Sequence, residues 1–503
     1  MKKTTSGYIR LLVRLLCAII IGFSVLMISG CATFYYVTDG VASFFKNIGN
    51  TIAGSSSSTS SSSETVEKES SKTKITMNAS TRNKSRSSKS YKIPASYEKA
   101  YSYRTDKADK GIQTFIKQKN IDSLRMTNPN EYVRSVCAKI NETSSNDFER
   151  VKKAHDVICL LISYDAKNFW AGTVPRQDWQ TVAKNKTAVC EGYANLFQQF
   201  CSELKISSVK VSGYSRGVGI DIENENPQKS NHAWNIVCIE NEWYLIDCTW
   251  DSGYMSGRQS VQSYSTDWLF LKPEHFVCSH LPIDSSYQLM QNPISINDFL
   301  RLPDFRPKLF EYSGESLSAI EKLTQADDAL VLNYKLKDGY IFEFGVSKSG
   351  GSKINNRTLT ENNGENVTTT INFPGEGLYS VVIYYRKNGE ERGVSCGRFL
   401  IKAARGNNIK YPVLYKTTAK NVQLIEPKYS PLKAGSTVHF ALHQEGKNCA
   451  TVIFGRNFIQ LENDRNGNFA GDVEIPVGIK EVSVGFASTP TGRYEMFAVY
   501  EVK

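Results

Sequence analysis

The 503 residues contain no Cys-x-x-Cys pair, no evenly spaced cysteine framework and no tryptophan after Trp268, and their six histidines are scattered. The first two absences argue against a disulfide-stapled scaffold, although the chain has 11 cysteines. Several of these lie inside apolar runs, Cys159 within Val157–Leu161 and Cys238 within Ile236–Ile239, and read as buried free thiols. The scattered histidines leave no metal cluster to assemble, so neither a metal site nor a cofactor is expected. Acidic residues are missing from Lys72 to Lys92, a stretch with seven basic side chains; with Lys2, Lys3, Arg10 and Arg14 it accounts for the whole net charge of +11, and the rest is neutral. Because that charge sits in a leader and a spacer, not on a folded face interleaved with aromatics, no nucleic-acid partner is expected. Large apolar side chains are nearly absent from Ser55 to Ser90, which opens with a serine-rich run to Ser63. Such a segment cannot bury enough surface to offset its chain entropy and reads as a solvated spacer.

Near the N-terminus a basic segment precedes an apolar run from Leu15 to Ile28, which ends in Ser29-Gly30-Cys31. This resembles a bacterial lipoprotein signal, and the resemblance implies lipid attachment at Cys31 after cleavage. The apolar stretch continues through Phe34, Tyr35 and Tyr36, so an uncleaved membrane anchor is the alternative. Either places the bulk of the chain outside the cytoplasmic membrane, tethered at its N-terminus.

With 40% hydrophobic and 11% aromatic residues the remainder can bury large cores, and its length suggests about three folded domains. Between Tyr97 and Asp165 the apolar spacing is helical, as in Val151, Ala154, Val157 or Ile158, and Leu161. From Ser207 the period changes to two, in Val209–Tyr214, His232–Ile239 and Trp243–Thr249. Helices before a sheet indicate an α+β domain. Beyond Arg306 two sets of short β runs separated by Gly and Asn turns suggest two tandem β-sandwich modules. The expected boundaries are 1–31 signal peptide, 32–92 basic serine-rich spacer, 93–305 α+β domain, and sandwiches over 306–405 and 406–503. All six tryptophans (Trp170, Trp179, Trp234, Trp243, Trp250, Trp268) fall in the α+β part, where aromatic side chains favour pockets and interfaces as well as core.

Cys190 opens a helix whose apolar stripe runs through Tyr193, Ala194, Phe197, Cys201 and Leu204. At a helix N-terminus the macrodipole and unpaired amides favour a thiolate, and the Cys190 N–H is a candidate oxyanion donor. Further on, a hairpin turning at Glu240-Asn241 sets Asp247 opposite Trp234. His232 then lies on the same face as a diagonal neighbour of Asp247, about 7–8 Å away along the backbone. An acid in an apolar strand needs a partner to offset its desolvation, and this imidazole is the nearest.

Val189-Cys190-Glu191-Gly192-Tyr193-Ala194, His232-Ala233-Trp234-Asn235 and Trp243-Tyr244-Leu245-Ile246-Asp247-Cys248-Thr249-Trp250-Asp251 resemble, in order and spacing, the transglutaminase-like superfamily of cysteine enzymes. His155-Asp156-Val157-Ile158 is similar to the helix before the nucleophile in that family. Trp268–Phe276, His280-Leu281-Pro282 and Gln288-Leu289-Met290 resemble the subgroup typified by kyphoscoliosis peptidase, whose members carry β-sandwich modules after the core. Val157 replaces a common aromatic and Cys248 a small or branched residue. The resemblance implies a papain-like core followed by immunoglobulin-like sandwiches. It also implies a triad of Cys190 as nucleophile, His232 as base and acid, and Asp247 as orienter. Expected substrate-binding residues are Trp179, Gln180, Trp234 and Trp250, of which Trp179 and Gln180 are also candidates for the second oxyanion donor. His155, His275 and His280 are expected to be structural. Acyl transfer on peptide or glutamine amides is the expected chemistry, with exported proteins or wall peptides as substrates and the membrane contacted through the N-terminal lipid. Hydrolysis is the leading outcome; crosslinking or deamidation, and a non-enzymatic surface binding protein, are the alternatives.

Overall fold

The computed structural model describes residues 91–362, 366–415 and 422–503, so the leader, Cys31 and nearly all of the spacer lie outside the described residues. After three shorter helices between Glu98 and Thr127 the core has two longer ones, α1 (Pro129–Glu142) and α2 (Asp147–Leu161). Asn128 and Asn146 start them as N-caps, each side-chain oxygen accepting an amide of the first turn, and Pro129 occupies the first position of α1, where no N–H is needed. A shorter helix, α3 (Trp179–Asn185), leads into α4 (Cys190–Glu203). Helix α4 buries Tyr193, Leu196, Phe197, Phe200 and Cys201, and each large apolar side chain so removed from water contributes about 1.5–3 kcal/mol.

The sheet on which α4 rests is built from β1 (Ser208–Ser215), β2 (His232–Ile239), β3 (Glu242–Ile246), β4 (Leu269–Leu271) and β5 (His280–Pro282), in spatial order β4-β3-β2-β1-β5. All its pairings are antiparallel. The β2–β3 hairpin pairs Asn235 with Ile246 and Ile239 with Glu242, the register that the turn at Glu240-Asn241 requires. Both turn residues have positive φ, 53° and 64°, as a tight hairpin turn demands. Asn235, buried on β2, donates to the Ala194 carbonyl of α4 and ties helix to sheet. One expectation is corrected here. The strand stops at Ile246 and does not run on to Thr249, because Asp247 caps a short helix, α5 (Cys248–Asp251).

After the core come two β-sandwich regions, giving an α+β core followed by immunoglobulin-like β structure. In the first, strands Tyr340–Lys348, Gly377–Lys387 and Val394–Ala403 face a sheet of Ala329–Tyr334, Val367–Asn372 and Thr358–Asn362. Phe344, Val381, Ile383, Phe399 and Ile371 fill the space between them. In the second, Phe440, Leu442, Val452, Val484, Phe497 and Tyr500 do the same. Here the strand Asn468–Glu474 ends before Pro476, which has no N–H for a ladder, and Val477 beyond it is 83% exposed. Two contacts cross the expected boundaries. Asp304–Phe305 pairs with the 394–403 strand of the first sandwich, and Lys92, placed in the spacer by sequence, accepts the Trp243 amide while Tyr91 packs edge-on against that indole.

Candidate active site

Cys190 is the first residue of α4, partly exposed, with Val189 at the N-cap. Val189 offers no side-chain cap, so the first-turn amides are not taken up by a capping oxygen. The close fit around the nucleophile rests on Gly192: a Cβ there would lie 2.5 Å from Gln177 Oε1, 2.7 Å from Val182 Cγ2 and 2.8 Å from Ala188 Cβ. Gln177 Oε1 in turn accepts the Val189 amide at 2.9 Å.

His232 begins β2 and is nearly buried, and its Nε2 is 2.7 Å from Asp247 Oδ2. With Nε2 committed to the carboxylate, the other ring nitrogen serves the Cys190 sulfur, which is hydrogen-bonded by His232 and also receives the Ala233 N–H. Asp247 is fully buried; its Oδ1 accepts the amides of Thr249 at 2.8 Å and Trp250 at 3.2 Å. The strand end therefore fixes the carboxylate as an N-cap and aims its second oxygen at the imidazole. A further ring reaches that oxygen: His280 Nε2 is 3.2 Å from Asp247 Oδ2.

Burial opposes charge on all three groups, and the neighbours decide the outcome. For Cys190, the His232 hydrogen bond and charge together with the Ala233 amide outweigh burial and hold the thiol below its ordinary value. For His232, the Asp247 charge and hydrogen bond outweigh burial and lift the imidazole to about 10. For Asp247, His232 and then His280 overcome burial and hold the carboxyl below the usual carboxylate range. Burial instead raises the thiols of Cys137, Cys159, Cys201, Cys278 and Cys396. The site is therefore poised as a thiolate–imidazolium pair held by a carboxylate.

The other expected site residues fare differently. Trp250 is half-buried, its ring centroid 5.5 Å from that of His232. Trp234 was expected in the substrate groove, but it is 1% exposed and packs beneath the triad, because both faces of β2 are covered. Trp179 lines a groove of about 620 Å³ with Asp178, Asn195, Gln198, Gln199 and Ser202, a lining that includes no triad member. Gln180 follows it on α3, half-buried. The glutamine that touches the approach to Cys190 is Gln177, for which the sequence carried no periodic or motif signal.

Among the described residues, His155, Cys159 and Cys248 bring a ring nitrogen and two sulfurs within 4.8 Å of one another, and His232, Asp247 and His280 bring two ring nitrogens and a carboxylate oxygen equally close. His155 and Cys159 stand four residues apart on α2, and the hairpin already paired His232 with Asp247; what spacing hid was the third member of each group, Cys248 and His280, which another element supplies. In the first group the side chains already satisfy one another. His155 Nδ1 is 3.5 Å from Asp156 Oδ1, and its Nε2 is 3.0 Å from Asp251 Oδ2. Lys152 pairs with Asp156 at 2.6 Å. Burial lowers the His155 pKa, but Asp156 and Asp251 more than reverse this and lift it to about 10, so an imidazolium bridges two carboxylates without need of a cation.

A nucleophile-type cysteine at a helix start, joined to a His–Asp pair on an antiparallel sheet, defines the papain-like class of thiol sites. Residues 134–248 match the profile of the Transglutaminase-like superfamily, and this span contains Cys190, His232 and Asp247. The chain carries a transglutaminase-like domain. It is 31% identical over 162 residues to mouse kyphoscoliosis peptidase and 28% identical over 197 residues to the human protein, covering 31% and 37% of this chain. The aligned parts are 24% and 30% of those relatives, so the chain spans less than a third of their length. Among solved structures, a crystal structure of a TGase aligns at 19% identity over 34% of this chain and 42% of its own, with a TM-score of 0.20.

Proposed function

We propose that this chain is a cysteine acyl-transfer enzyme whose triad is Cys190, His232 and Asp247, and that it acts as a peptidase on exported proteins or wall peptides. The observation that carries the reading is the single imidazole that engages the Cys190 sulfur and, through Nε2, Asp247 at 2.7 Å. The thiolate attacks an amide carbonyl, and the oxyanion is met by first-turn amides of α4. Protonated His232 gives its proton to the leaving nitrogen as the C–N bond breaks, leaving a thioester on Cys190. Neutral His232 then takes a proton from water as its oxygen attacks the thioester; the C–S bond breaks, the acyl group leaves as the carboxylic acid, and the expelled thiolate again pairs with the protonated His232. Asp247 holds the imidazole in the required tautomer and stays ionised throughout.

The test is turnover of exported-protein extracts, read by mass spectrometry. The wild type is expected to generate new peptide termini, and Cys190→Ala to abolish them while remaining folded. Glutamine deamidation or glutamine–lysine crosslinks in their place would assign the thioester to glutamine chemistry and sink the peptidase assignment. Equal capture of a partner by wild type and Cys190→Ala, with no product of any kind, would replace the enzyme with a binding protein.

We further propose that the chain is tethered outside the cytoplasmic membrane through a lipid on Cys31. This rests on the small-residue site that ends the apolar leader. Cys31→Ala is expected to accumulate as an unprocessed precursor of higher mass. Retention of Met1 in the wild-type protein, read by intact mass, would assign the uncleaved anchor instead.

A further inference from the structure

Asp247 shares one oxygen between two imidazoles, and the second has no place in the three-residue mechanism. His280 lies on β5, paired with Ser215 of β1, and is 1% exposed. Its ring is enclosed by Trp250, Trp268, Phe276 and Trp234, with centroid separations of 4.4, 4.9, 4.2 and 5.1 Å. Only its two nitrogens meet polar atoms. Nδ1 is 2.9 Å from Ser279 Oγ, and Nε2 is 3.2 Å from Asp247 Oδ2. A bare nitrogen lone pair facing a carboxylate is repulsive, so Nε2 carries the proton and Ser279 donates to Nδ1. The charged groups that face this pair are His232 on β2, whose ring centroid is 5.3 Å from that of His280, Cys190 at the start of α4, and Arg306, whose guanidinium stacks on Trp250 at 4.6 Å. Tyr164 also feels the charges of Cys190 and Asp247. Burial, together with the positive charges of His232 and Arg306, outweighs the attraction of Asp247 and keeps His280 neutral, its pKa lowered to about 4.

We infer that His280 is a positioning residue that sets the proton affinity of His232 through Asp247. A neutral donor on Oδ2 withdraws part of the carboxylate charge that would otherwise act on the imidazolium alone. With Ser279 fixing the tautomer and four aromatic rings fixing the plane, the donor is held in place, and His232 is left acidic enough to release its proton to a leaving amine. The inference rests on the triad reading above. It adds a fourth polar side chain, drawn from a strand on the far edge of the sheet, that tunes the triad without touching substrate.

The sign follows. Without the His280 donor, the full charge of Asp247 acts on His232, the imidazolium holds its proton more tightly, and proton transfer slows. The probe is iodoacetate, whose anionic group is drawn by protonated His232, so that the rate at Cys190 falls at alkaline pH as His232 loses its proton. In the full chain, His280→Phe keeps an aromatic ring in the cage; the alkaline limb is expected to move up by about half a unit or more, and turnover to fall on the order of tenfold with KM little changed. His280→Gln, whose amide N–H can donate in place of Nε2, is expected to return the limb toward the wild-type position. Ser279→Ala leaves the cage intact and is expected to shift the limb in the same direction by less, which keeps the test available if His280→Phe does not fold. An unmoved or lowered limb in a folded variant, or no recovery with glutamine, overturns this inference alone. A wild-type profile without any alkaline fall overturns it together with the triad reading.

Discussion

Replacing His232 with alanine is expected to slow alkylation of Cys190 by iodoacetamide near neutral pH by on the order of a hundredfold or more. The thiol lies below its ordinary value only because the His232 hydrogen bond and charge overcome burial. Once the imidazole is removed, burial remains with the like charge of Asp247, and both raise the thiol pKa. At pH 7 the thiolate fraction then drops below the ~1–3% of an ordinary cysteine. In the wild type the same probe should label Cys190 well ahead of the buried Cys159 and Cys396, whose thiols burial pushes up. The wild-type ion pair should exist from below the normal thiol range up to about 10, where His232 deprotonates. Turnover should fall further than alkylation, by about 10³-fold or more, because His232 also delivers the proton to the leaving amine. Equal labelling kinetics in wild type and variant, at matched folding, would remove His232 from the site.

The second large effect concerns stability. His155→Ala is expected to destabilise the chain by about 3–5 kcal/mol, because it leaves Asp156 and Asp251 buried with the bridging imidazolium gone. Asp251 keeps its bonds to Ser265 Oγ and the Trp268 amide, and Asp156 keeps Lys152, so the loss reflects the imidazolium itself. The pH dependence has a definite sign. His155 and His232 are both raised in the fold to about 10 against 6.5 unfolded, so their stabilisation is complete below pH 6.5 and is lost as pH rises through about 10. Denaturant unfolding between pH 6.5 and 10 should therefore show wild-type stability declining, and His155→Ala should flatten part of that decline. A loss below about 1 kcal/mol, or an unchanged slope, would show that His155 is not charged in the fold.

Much of the site was legible in the chain because its geometry is local. The start of α4 at Cys190 follows from an apolar stripe of period 3.6. The approach of His232 to Asp247 follows from a two-residue hairpin turn that fixes register, since neither a helix phase nor a strand register leaves a side chain free to change face. The α+β core and the β-rich remainder were likewise set by period and by turn residues.

What the sequence could not supply are contacts between elements far apart in the chain. His280 reaches Asp247 only because β5 joins the edge of β1, and nothing in the spacing of residues 232, 247 and 280 encodes that edge. Cys248 of α5 meets His155 and Cys159 of α2, and Gln177 meets Gly192 through the packing of a loop against α4. Trp234 became core and not groove because Trp268, Phe276, His280 and Leu289 cover its face of β2, a fact of layer packing and not of alternation. By itself the sequence determined which residues could carry thiol chemistry and on which local faces they stand. Only the tertiary structure decided which buried groups fill the remaining hydrogen-bonding positions of Asp247, because desolvation and charge pairing depend on distances that strand order and helix packing alone establish.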